Sequence, residues 1–259
     1  MNVGIVGCNG RVGKLLIAEL LSGDWDKHDL KLSGGSAREG SNIKDDSYFI
    51  TEDKDELFKR SDVIIDFTLP EGTIEHLDLA IEHKTALIIG TTGLNNNDED
   101  QLKEASKHIA IVYAANMSVG VNMLIALVEQ AAARLDSDWD IEIFEAHHKY
   151  KVDAPSGTAL ALGKSAAAGR GNNLENLAEY ARHGQTGARE KGKIGFSVAR
   201  GGDVVGEHTV FFFGEGERLE LSHKATNRSL FAKGALHAAS WVNGKEAGLY
   251  SMRDVLNLT

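Results

Sequence analysis

The sequence predicts an α/β protein of two domains: an N-terminal, doubly wound parallel sheet and a second, α+β domain with a mixed sheet. Through the first half of the chain, short apolar runs alternate with helical patterns, which is typical of strand–helix–strand units. After Asn116 a long helical pattern leads into strands with period-two alternation, and from Ser229 the pattern returns to a helix. We therefore expect residues 1–117 and 229–259 to form the first domain and residues 118–228 to form the second.

The strands of the first domain are predicted from runs that are apolar on both faces, because such runs suit a parallel sheet covered by helices on each side. The predicted strands are residues 3–6, 30–32, 63–67, 86–89 and 109–112. Two helices are predicted from apolar residues at helical spacing, namely Val12, Leu15, Leu16 and Leu20, and then Ile74, Leu77 and Ile81. A third is predicted over residues 96–107, which begin with asparagine and acidic residues and end with lysine.

The second domain begins with a long helix, predicted from the apolar residues Leu124, Leu127, Val128, Ala131 and Leu135. A turn at residues 214–217 joins the apolar run 209–213 to the alternating segment 217–224, which predicts a hairpin. In that segment one face carries Leu219, Leu221 and His223, and the other carries Arg218, Glu220 and Ser222. Residues 169–193 are polar and glycine-rich and are expected to form a long loop with one helical turn. The tail helix has Phe231, Ala235, Ala238 and Trp241 on one side.

Composition and charge limit the kinds of molecule that this protein is expected to bind. Lys and Arg number 28 against 38 Asp and Glu, a net charge of −10 with no basic block, so we expect no nucleic acid and no anionic membrane as partner. The single cysteine permits no internal disulfide, and no signal peptide is visible at the N-terminus, so a cytoplasmic location is expected. Residues 109–128 carry no formal charge and are long enough to span a bilayer, but four central polar or glycine residues favour a buried strand, a loop and a helix instead.

The first predicted strand ends in a glycine-rich segment, residues 7–13, with the sequence GCNGRVG. Gly7, Gly10 and Gly13 allow a tight turn and a close approach of the backbone to a pyrophosphate at the start of the next helix. A glycine triplet alone is weak evidence, but here it follows a strand and opens an amphipathic helix, as the motif requires. The segment therefore predicts a Rossmann-like, dinucleotide-binding domain.

Residues after the second strand bear on the choice of nicotinamide cofactor. Ser36, Ala37 and Arg38 stand where an acidic residue favours NAD and an arginine accommodates the extra phosphate of NADP. Arg38 favours NADPH, although the adjacent Glu39 could reach a ribose and keeps NADH possible, and a solvated arginine is the alternative interpretation. Small and hydroxylated residues at three later strand ends, 67–68, 90–93 and 114–118, either approach the nicotinamide or belong to ordinary loops.

The densest group of chemically useful side chains lies in residues 145–159, EAHHKYKVDAPSGTA. On an extended strand Glu145 and His147 face one way and His148 the other, and Lys149 and Lys151 join His147 if the extension continues. Ser156 then caps a helix whose first amides, at Gly157 and Thr158, attract an anion. The segment predicts a cationic site for a small polyanion, with one imidazole donating a proton. Metal binding and a purely structural histidine pair are the alternatives, and adjacent strand residues chelate one ion poorly.

With these motifs the sequence resembles the dihydrodipicolinate reductase family, the 4-hydroxy-tetrahydrodipicolinate reductases of bacterial lysine and diaminopimelate biosynthesis. The histidine–lysine motif leading into DAPSGTA is the most specific element of the resemblance. The other matching segments are GCNGRVG at 7–13, IDFT at 65–68, GTTG at 90–93, AANMSVG at 114–120 and SVARGGDVVGEHTVFF at 197–212. They follow one another in the family's order from residue 3 to the C-terminal helix.

The resemblance implies a role for individual residues. It implies that His147 is the general acid/base, that Lys151 is the proton donor, and that His148, Gly157 and Thr158 bind a small dicarboxylate substrate. It implies cofactor contacts from the residues Gly7, Cys8, Asn9, Gly10, Arg11, Val12, Arg38, Gly90, Thr91, Thr92, Ala114, Ala115, Asn116 and Met117. It also implies reduction of dihydrodipicolinate to tetrahydrodipicolinate by NADPH, no metal, and a homotetramer joined through the sheets of the second domain.

One departure and three rival functions remain. Many relatives carry an acidic residue where this chain has Ala37, which argues against efficient use of NADH. The loop after Gly169 is also somewhat short.

An aldehyde dehydrogenase of the same pathway would need a nucleophilic cysteine in the second domain, whereas Cys8 lies in the glycine loop. A nucleotide-binding redox sensor would have no use for the His147–Lys151 group, and inhibition by a chelator would distinguish a metal hydrolase.

Overall fold

The computed structural model describes residues 1–38, 40–41 and 45–258, which form two compact units. Unit 1 comprises Met1–Val119 and the segment from Ser229 onward, and unit 2 comprises Gly120–Arg228. Up to the end of the sixth strand the elements are β1 (Asn2–Val6), α1 (Arg11–Leu21), β2 (Lys31–Ser36), β3 (Ile50–Thr51), α2 (Lys54–Lys59), β4 (Val63–Asp66), α3 (Pro70–His83), β5 (Ala86–Ile89), α4 (Asn96–Ala105) and β6 (Ala110–Tyr113). The remaining elements are α5 (Val119–Arg134), β7 (Asp140–His147), α6 (Gly157–Gly169), α7 (Leu174–Leu177), β8 (Ala178–Glu179), β9 (Ile194–Arg200), β10 (Gly206–Gly214), β11 (Glu217–Ala225), α8 (Ser229–Val242), β12 (Gly248–Tyr250) and α9 (Met252–Val255).

Unit 1 is built on a seven-stranded parallel sheet with the order β12-β6-β5-β4-β1-β2-β3. One apolar cluster packs α1 and α8 against one face, and a second packs α2, α3 and α4 against the other. The predicted doubly wound parallel sheet is therefore confirmed. In this order the strand ends that carry residues 7–10, 67–68 and 90–92 lie at neighbouring positions along one edge of the sheet.

Several short elements of unit 1 differ from the sequence prediction. The second strand was expected at residues 30–32 but extends over Lys31–Ser36, through Gly34 and Gly35. Gly35 leaves room for the side chain of Cys8, because a Cβ atom at this position would lie 2.5 Å from the Cβ atom of Cys8. β3, α2, β12 and α9 were not predicted, since each is too short to show a period.

Unit 2 is built on a five-stranded mixed sheet with the order β11-β10-β7-β9-β8. β7, β9 and β8 run parallel to one another, whereas β10 is antiparallel to both β7 and β11. Helices α5 and α6 cover the inner face, where Ile141, Ile143, Val210 and Phe212 are buried. The mixed sheet of the second domain is thus confirmed.

Polar residues replace apolar ones toward one end of this inner face. On β7 the buried residues change from isoleucine at 141 and 143 to Glu145 and His147, and on β10 they change from Phe212 and Val210 to His208. Because side chains alternate along a strand, all of these face the same helices. The strand register therefore gathers the titratable groups at the carboxyl end of β7.

The hairpin and the loop agree with the sequence prediction. β10 and β11 pair from Gly206 with Ala225 to Gly214 with Glu217, which confirms the turn at 214–217. Residues 169–193 contain one short helix, α7, and a two-residue strand, β8, which was not predicted. Within the described residues, no helix is both long enough and apolar enough to cross a membrane.

Gly13 is predicted to be the glycine of the loop that least tolerates a side chain. A Cβ atom there would lie 2.5 Å from the Gly7 carbonyl oxygen and 2.8 Å from the Cys8 backbone. An alanine in a helix normally stabilises by about 1 kcal/mol relative to glycine, but this backbone cannot yield locally. We expect Gly13→Ala to lower the free energy of unfolding in urea by about 1–3 kcal/mol.

The matched control is Lys14→Ala, at the next, exposed position of α1. It is expected to change the free energy of unfolding by less than about 0.5 kcal/mol. A Gly13→Ala protein as stable as the control would contradict the tight packing of α1 on the glycine loop.

Candidate active site

A cavity of about 730 Å³ opens in unit 1 at the carboxyl ends of β1, β2 and β4. Five of the predicted cofactor residues line it, namely Gly7, Asn9, Gly10, Arg11 and Arg38. The cavity is also lined by residues with polar or charged side chains, namely Ser36, Lys54, Thr68 and His76. The structure thus brings the glycine loop and the residues after the second strand together around one space.

The N-terminus of α1 is suited to an anion. Gly10 is its N-cap residue, no side chain in the described part of the chain caps it, and its first turn has no acidic residue. The loop is held by a hydrogen bond of 2.9 Å from the Gly10 amide to the Gly7 carbonyl. Amides at a helix N-terminus carry a partial positive charge and bind phosphate groups.

Cationic side chains line the part of the cavity next to β2. Arg11, Arg38 and Lys54 lie on this wall, and Lys54 makes an ion pair of 2.8 Å with Glu75. Ala37 is buried, so the position following β2 offers no acceptor for ribose hydroxyls. Glu39 lies outside the described residues. A glycine loop, uncapped amides and basic side chains fit a phosphorylated dinucleotide.

A buried carboxylate–histidine pair supports the edge of this cavity. Asp66, at the end of β4, is 0% exposed, and its carboxylate accepts hydrogen bonds from His76 Nδ1 at 2.8 Å and from the Thr68 amide at 2.7 Å. Burial would raise the pKa of Asp66, but the His76 and Thr68 hydrogen bonds outweigh it and hold the pKa below its ordinary value. The pair fixes the turn at Thr68, which lines the cavity.

The remaining predicted cofactor residues lie in the glycine loop and the first turn of α1, and after the ends of β5 and β6. Thr91 is buried and its hydroxyl is 2.8 Å from that of Thr73, whereas Thr92 is exposed. Cys8 and Met117 are buried in the apolar cluster of unit 1. Of the others, Gly90 is buried, Ala115 is exposed, and Val12, Ala114 and Asn116 are half-buried. Their contacts with a cofactor stay predictions.

In unit 2, Glu145 and His147 form the centre of the predicted substrate site. Both lie on the inner face of β7, and Glu145 Oε2 is 2.5 Å from His147 Nδ1. This bond fixes the orientation of the ring and leaves Nε2 for chemistry. Burial lowers the pKa of His147, while Glu145 opposes the shift. The nearby charges of Lys151 and Arg200 lower this pKa further.

Arg200, which the sequence analysis did not single out, holds the Glu145 carboxylate from the neighbouring strand. Its two terminal nitrogens donate to the two Glu145 oxygens at 2.7 Å each, and one of them also donates to the Asp153 carbonyl at 2.7 Å. Burial would raise the pKa of Glu145, but hydrogen bonds from Arg200 and His147 hold it below its ordinary value. Glu145 is therefore an ionised carboxylate although it is only 1% exposed.

Ser156 caps α6, as predicted. Its hydroxyl accepts a hydrogen bond of 3.2 Å from the Ala159 amide, and its own amide donates to Glu145 Oε1 at 3.0 Å. The hydroxyl also lies 3.1 Å from Nε2 of His208, a second residue that the sequence analysis did not single out. The helix cap and the histidine–carboxylate pair are thus joined by hydrogen bonds.

The strand does not continue past His147, so the condition for placing Lys149 and Lys151 on the side of His147 is not met. β7 ends at His147, and the chain turns so that the Lys151 amide donates to the His148 carbonyl at 3.1 Å. The turn follows because the amides of His148 and Lys149 bond instead to carbonyls of the 202–204 loop. Lys149 and Lys151 therefore do not follow His147 along a strand, although the charge of Lys151 still acts on His147.

Lys151 engages a carboxylate of its own chain. Its Nζ is 2.9 Å from Asp153 Oδ1. This hydrogen bond is the main reason that the pKa of Asp153 lies below its ordinary value, and a hydrogen bond from the Gly157 amide contributes. Asp153 is thus paired with one predicted site residue, Lys151, and is influenced by a second, Gly157.

The described residues hold one group that could bind a metal ion, Asp55, Glu82 and His83 in unit 1, and its side chains are mostly exposed. It includes none of the predicted site residues. Exposed acidic groups of this kind are common without a bound ion.

Comparison with known proteins identifies the family. The model described as "Dihydrodipicolinate reductase, N-terminus" matches residues 1–117, and that described as "Dihydrodipicolinate reductase, C-terminus" matches residues 120–256. A 4-hydroxy-tetrahydrodipicolinate reductase from Zymomonas mobilis is 49% identical over 258 residues, which are 100% of this chain and 98% of the relative. One from Acinetobacter baumannii is 48% identical over 262 residues, covering 99% of this chain and 96% of the relative.

A solved structure shows the same fold. A dipicolinate-bound dihydrodipicolinate reductase from Paenisporosarcina sp. TG-14 has a TM-score of 0.77 at 21% identity, covering 97% of both chains. Two family models that together span nearly the whole chain, and full-length relatives with almost half of their residues identical, leave one assignment. The chain belongs to the dihydrodipicolinate reductase family.

Proposed function

We propose that this chain reduces dihydrodipicolinate, formed from 4-hydroxy-tetrahydrodipicolinate by loss of water, to tetrahydrodipicolinate with NADPH as the preferred cofactor. As a member of its family it is an NAD(P)H-dependent oxidoreductase of lysine and diaminopimelate biosynthesis. In the proposal unit 1 binds the dinucleotide, and unit 2 binds the substrate and transfers the proton. A cytoplasmic location and a homotetramer joined through the sheets of unit 2 are part of the same proposal.

The observation that carries the substrate class is the carboxylate of Asp153. It makes an ion pair of 2.9 Å with Lys151, and the Gly157 amide helps to lower its pKa; we propose both groups for substrate binding. Lys151 is therefore already placed to hold a carboxylate. A substrate carboxylate would take the place of Asp153, whose side chain is half exposed and free to move into water. The dipicolinate in the Paenisporosarcina reductase is likewise a dicarboxylate.

We assign the transfer of a proton to the substrate to His147 and Lys151. Nδ1 of His147 is committed to Glu145, so Nε2 is the atom that takes up or delivers a proton. A Cβ atom at Gly206 would lie 3.0 Å from Nε2, so the glycine keeps space open beside that atom. Lys151, once released by Asp153, carries three N–H donors and can hold a carboxylate or donate a proton. His148 has a buried Nδ1 without a hydrogen-bond partner among the described residues and is proposed to bind substrate.

The bound nicotinamide would supply the hydride that complements this proton. The chain's own contribution is the anion-binding loop at α1 and the basic wall of the cavity. Arg38 and Lys54 can form charge-assisted hydrogen bonds to a 2′-phosphate, and Ala37 gives a ribose hydroxyl no acceptor. These features support the proposed preference for NADPH over NADH.

A coupled assay tests the reaction. Dihydrodipicolinate synthase supplies fresh substrate from pyruvate and aspartate semialdehyde, and the absorbance of the reduced nicotinamide is followed with NADPH and NADH separately. Consumption that requires the synthase supports the proposal. No consumption by folded protein that binds NADPH would point to another substrate or to a redox sensor.

The basic wall predicts which variants change the cofactor preference. Arg38→Met is expected to raise the KM for NADPH about 10-fold or more, the worth of a lost charge-assisted hydrogen bond, and to leave the KM for NADH nearly unchanged. Lys54→Met should raise the KM for NADPH by a smaller factor, because the ion pair with Glu75 already neutralises part of the Lys54 charge. Lys59→Met, at the exposed end of α2, is the control. Equal changes for both cofactors would refute a phosphate-binding role.

His147→Gln is expected to lower kcat by about 10²- to 10⁴-fold, because a positioned acid or base contributes that factor. The dissociation constant for NADPH should stay unchanged, since unit 1 supplies the proposed cofactor contacts. His183→Gln replaces an exposed histidine of the same unit and serves as the control. Unchanged turnover in the His147 variant would remove this residue from the mechanism.

Glu145→Gln is expected to shift the pH dependence of kcat/KM. The carboxylate raises the pKa of His147 against the effect of burial, so its loss lowers that pKa and moves the corresponding limb of the profile to lower pH. The sign is the same whether the reaction needs the charged or the neutral ring.

Glu142→Gln is the matched control, since Glu142 lies on the same strand, faces the other side and also pairs with arginine side chains. Thermal unfolding shows whether each variant is folded. A limb that stays in place in Glu145→Gln, or that moves equally in the control, would contradict the assignment.

A further inference from the structure

His208 is a buried titratable residue to which the proposed reaction gives no role. It is 4% exposed and lies on the inner face of β10, in register with Glu145 on β7 and with His223 on β11. Its neighbours along the same face, Val210 and Phe212, are apolar and buried in the core of unit 2. An imidazole therefore stands where the strand pattern alone favours another apolar side chain.

The imidazole contacts both parts of the proposed substrate site. Its Nε2 is 3.1 Å from the hydroxyl of Ser156, which caps the helix that offers the Gly157 and Thr158 amides. Its ring stands at 72° to the ring of His147, with 5.1 Å between the centroids. One side chain thus contacts the cap of the anion-binding helix and the proton-transferring residue.

Stability does not account for an imidazole at this position. Nδ1 of His208 is buried with no hydrogen-bond partner in the described part of the chain. An unpaired buried polar atom is costly, and an apolar side chain of similar volume would avoid that cost. The polar residue is therefore better explained by what Nε2 does for Ser156 than by packing.

Burial, together with the surrounding charges, keeps this ring neutral. Burial and the nearby charge of His147 lower the pKa of His208 to about 4. His223 and Lys151 lower it further, and Glu145 acts in the opposite direction. A neutral ring places no positive charge beside the N-terminus of α6, where it would oppose the helix dipole.

We propose that His208 is a positioning residue that fixes the Ser156 cap and the His147 ring in one arrangement, so that the amides of α6 and the imidazole act on the same substrate. The inference rests on the proposed function, because it takes Gly157, Thr158 and His147 as the groups that meet the substrate.

His208→Phe tests this by keeping the ring contact with His147 while removing the bond to Ser156. We expect the KM for dihydrodipicolinate and the dissociation constant for dipicolinate, measured by calorimetry, to rise about 5- to 30-fold, the factor for one lost hydrogen bond. The dissociation constant for NADPH should not change. His208→Gln, whose amide can reach the position of Nε2, should restore both values to within about 3-fold of the parent protein.

Two further variants keep the test decisive. Thr209→Val removes a side-chain hydrogen bond of 2.9 Å to Ser222 on the outer face of the same strand, and should leave both constants unchanged. Ser156→Ala breaks the bond to His208 from the other side, and adding His208→Phe to it should weaken dipicolinate binding no further. If His208→Phe does not fold, His208→Leu, which also removes the bond to Ser156, makes the same comparison with and without Ser156→Ala.

A structural role alone would lower the unfolding midpoint of His208→Phe and leave the KM and the dipicolinate constant unchanged, which would overturn the inference. Additive effects of the Ser156 and His208 changes would also overturn it. Failure of the proposed function looks different, because the parent protein would then not turn over dihydrodipicolinate. If the parent still binds dipicolinate, the calorimetric series decides the inference on its own, and if it does not, both proposals fail.

Discussion

The buried carboxylate of Glu145 is the interaction on which the site in unit 2 depends. Its two oxygens accept hydrogen bonds from Arg200, from His147 and from the Ser156 amide, so three separate segments of the chain meet at one ionised group. A buried carboxylate is costly unless both of its oxygens accept hydrogen bonds, and here two of the three donors belong to the groups that we propose for proton transfer and substrate binding. The same bonds that permit the charge therefore orient the His147 ring and anchor the start of α6.

Each of the two units contains a buried carboxylate that holds a histidine ring. In unit 1, Asp66 at the end of β4 holds His76, and both side chains are almost completely buried. In unit 2, Glu145 near the end of β7 holds His147, but Arg200 shares the carboxylate. The two carboxylate–histidine pairs therefore have different roles. The Asp66 pair serves to fix the Thr68 turn beside the cavity, whereas the arginine in unit 2 compensates the charge of Glu145, so that His147 is held by the carboxylate without having to be protonated.

The sequence was informative where one local pattern determines the structure. The glycine loop, the parallel strands, the Ser156 cap and the alternation that pairs Glu145 with His147 all follow from short-range periodicity. Arg200 and His208 could not be found in this way, because their roles depend on the register of β9 and β10 against β7, which only the folded sheet sets. A charged residue and a histidine at inner-face positions of otherwise apolar strands were the available signal.

The charge balance of the site explains why so many cations can be gathered in one place. Arg200 is neutralised by Glu145 and Lys151 by Asp153, so two of the positive charges are paired with carboxylates of the same chain. The two pairs are not equivalent, since the carboxylate of Glu145 is 1% exposed whereas that of Asp153 is 51% exposed. Only the second can be exchanged cheaply, because a solvated carboxylate loses little when it returns to water. In the proposed function an incoming dicarboxylate therefore competes with Asp153, and the hydrogen bonds that orient His147 stay intact.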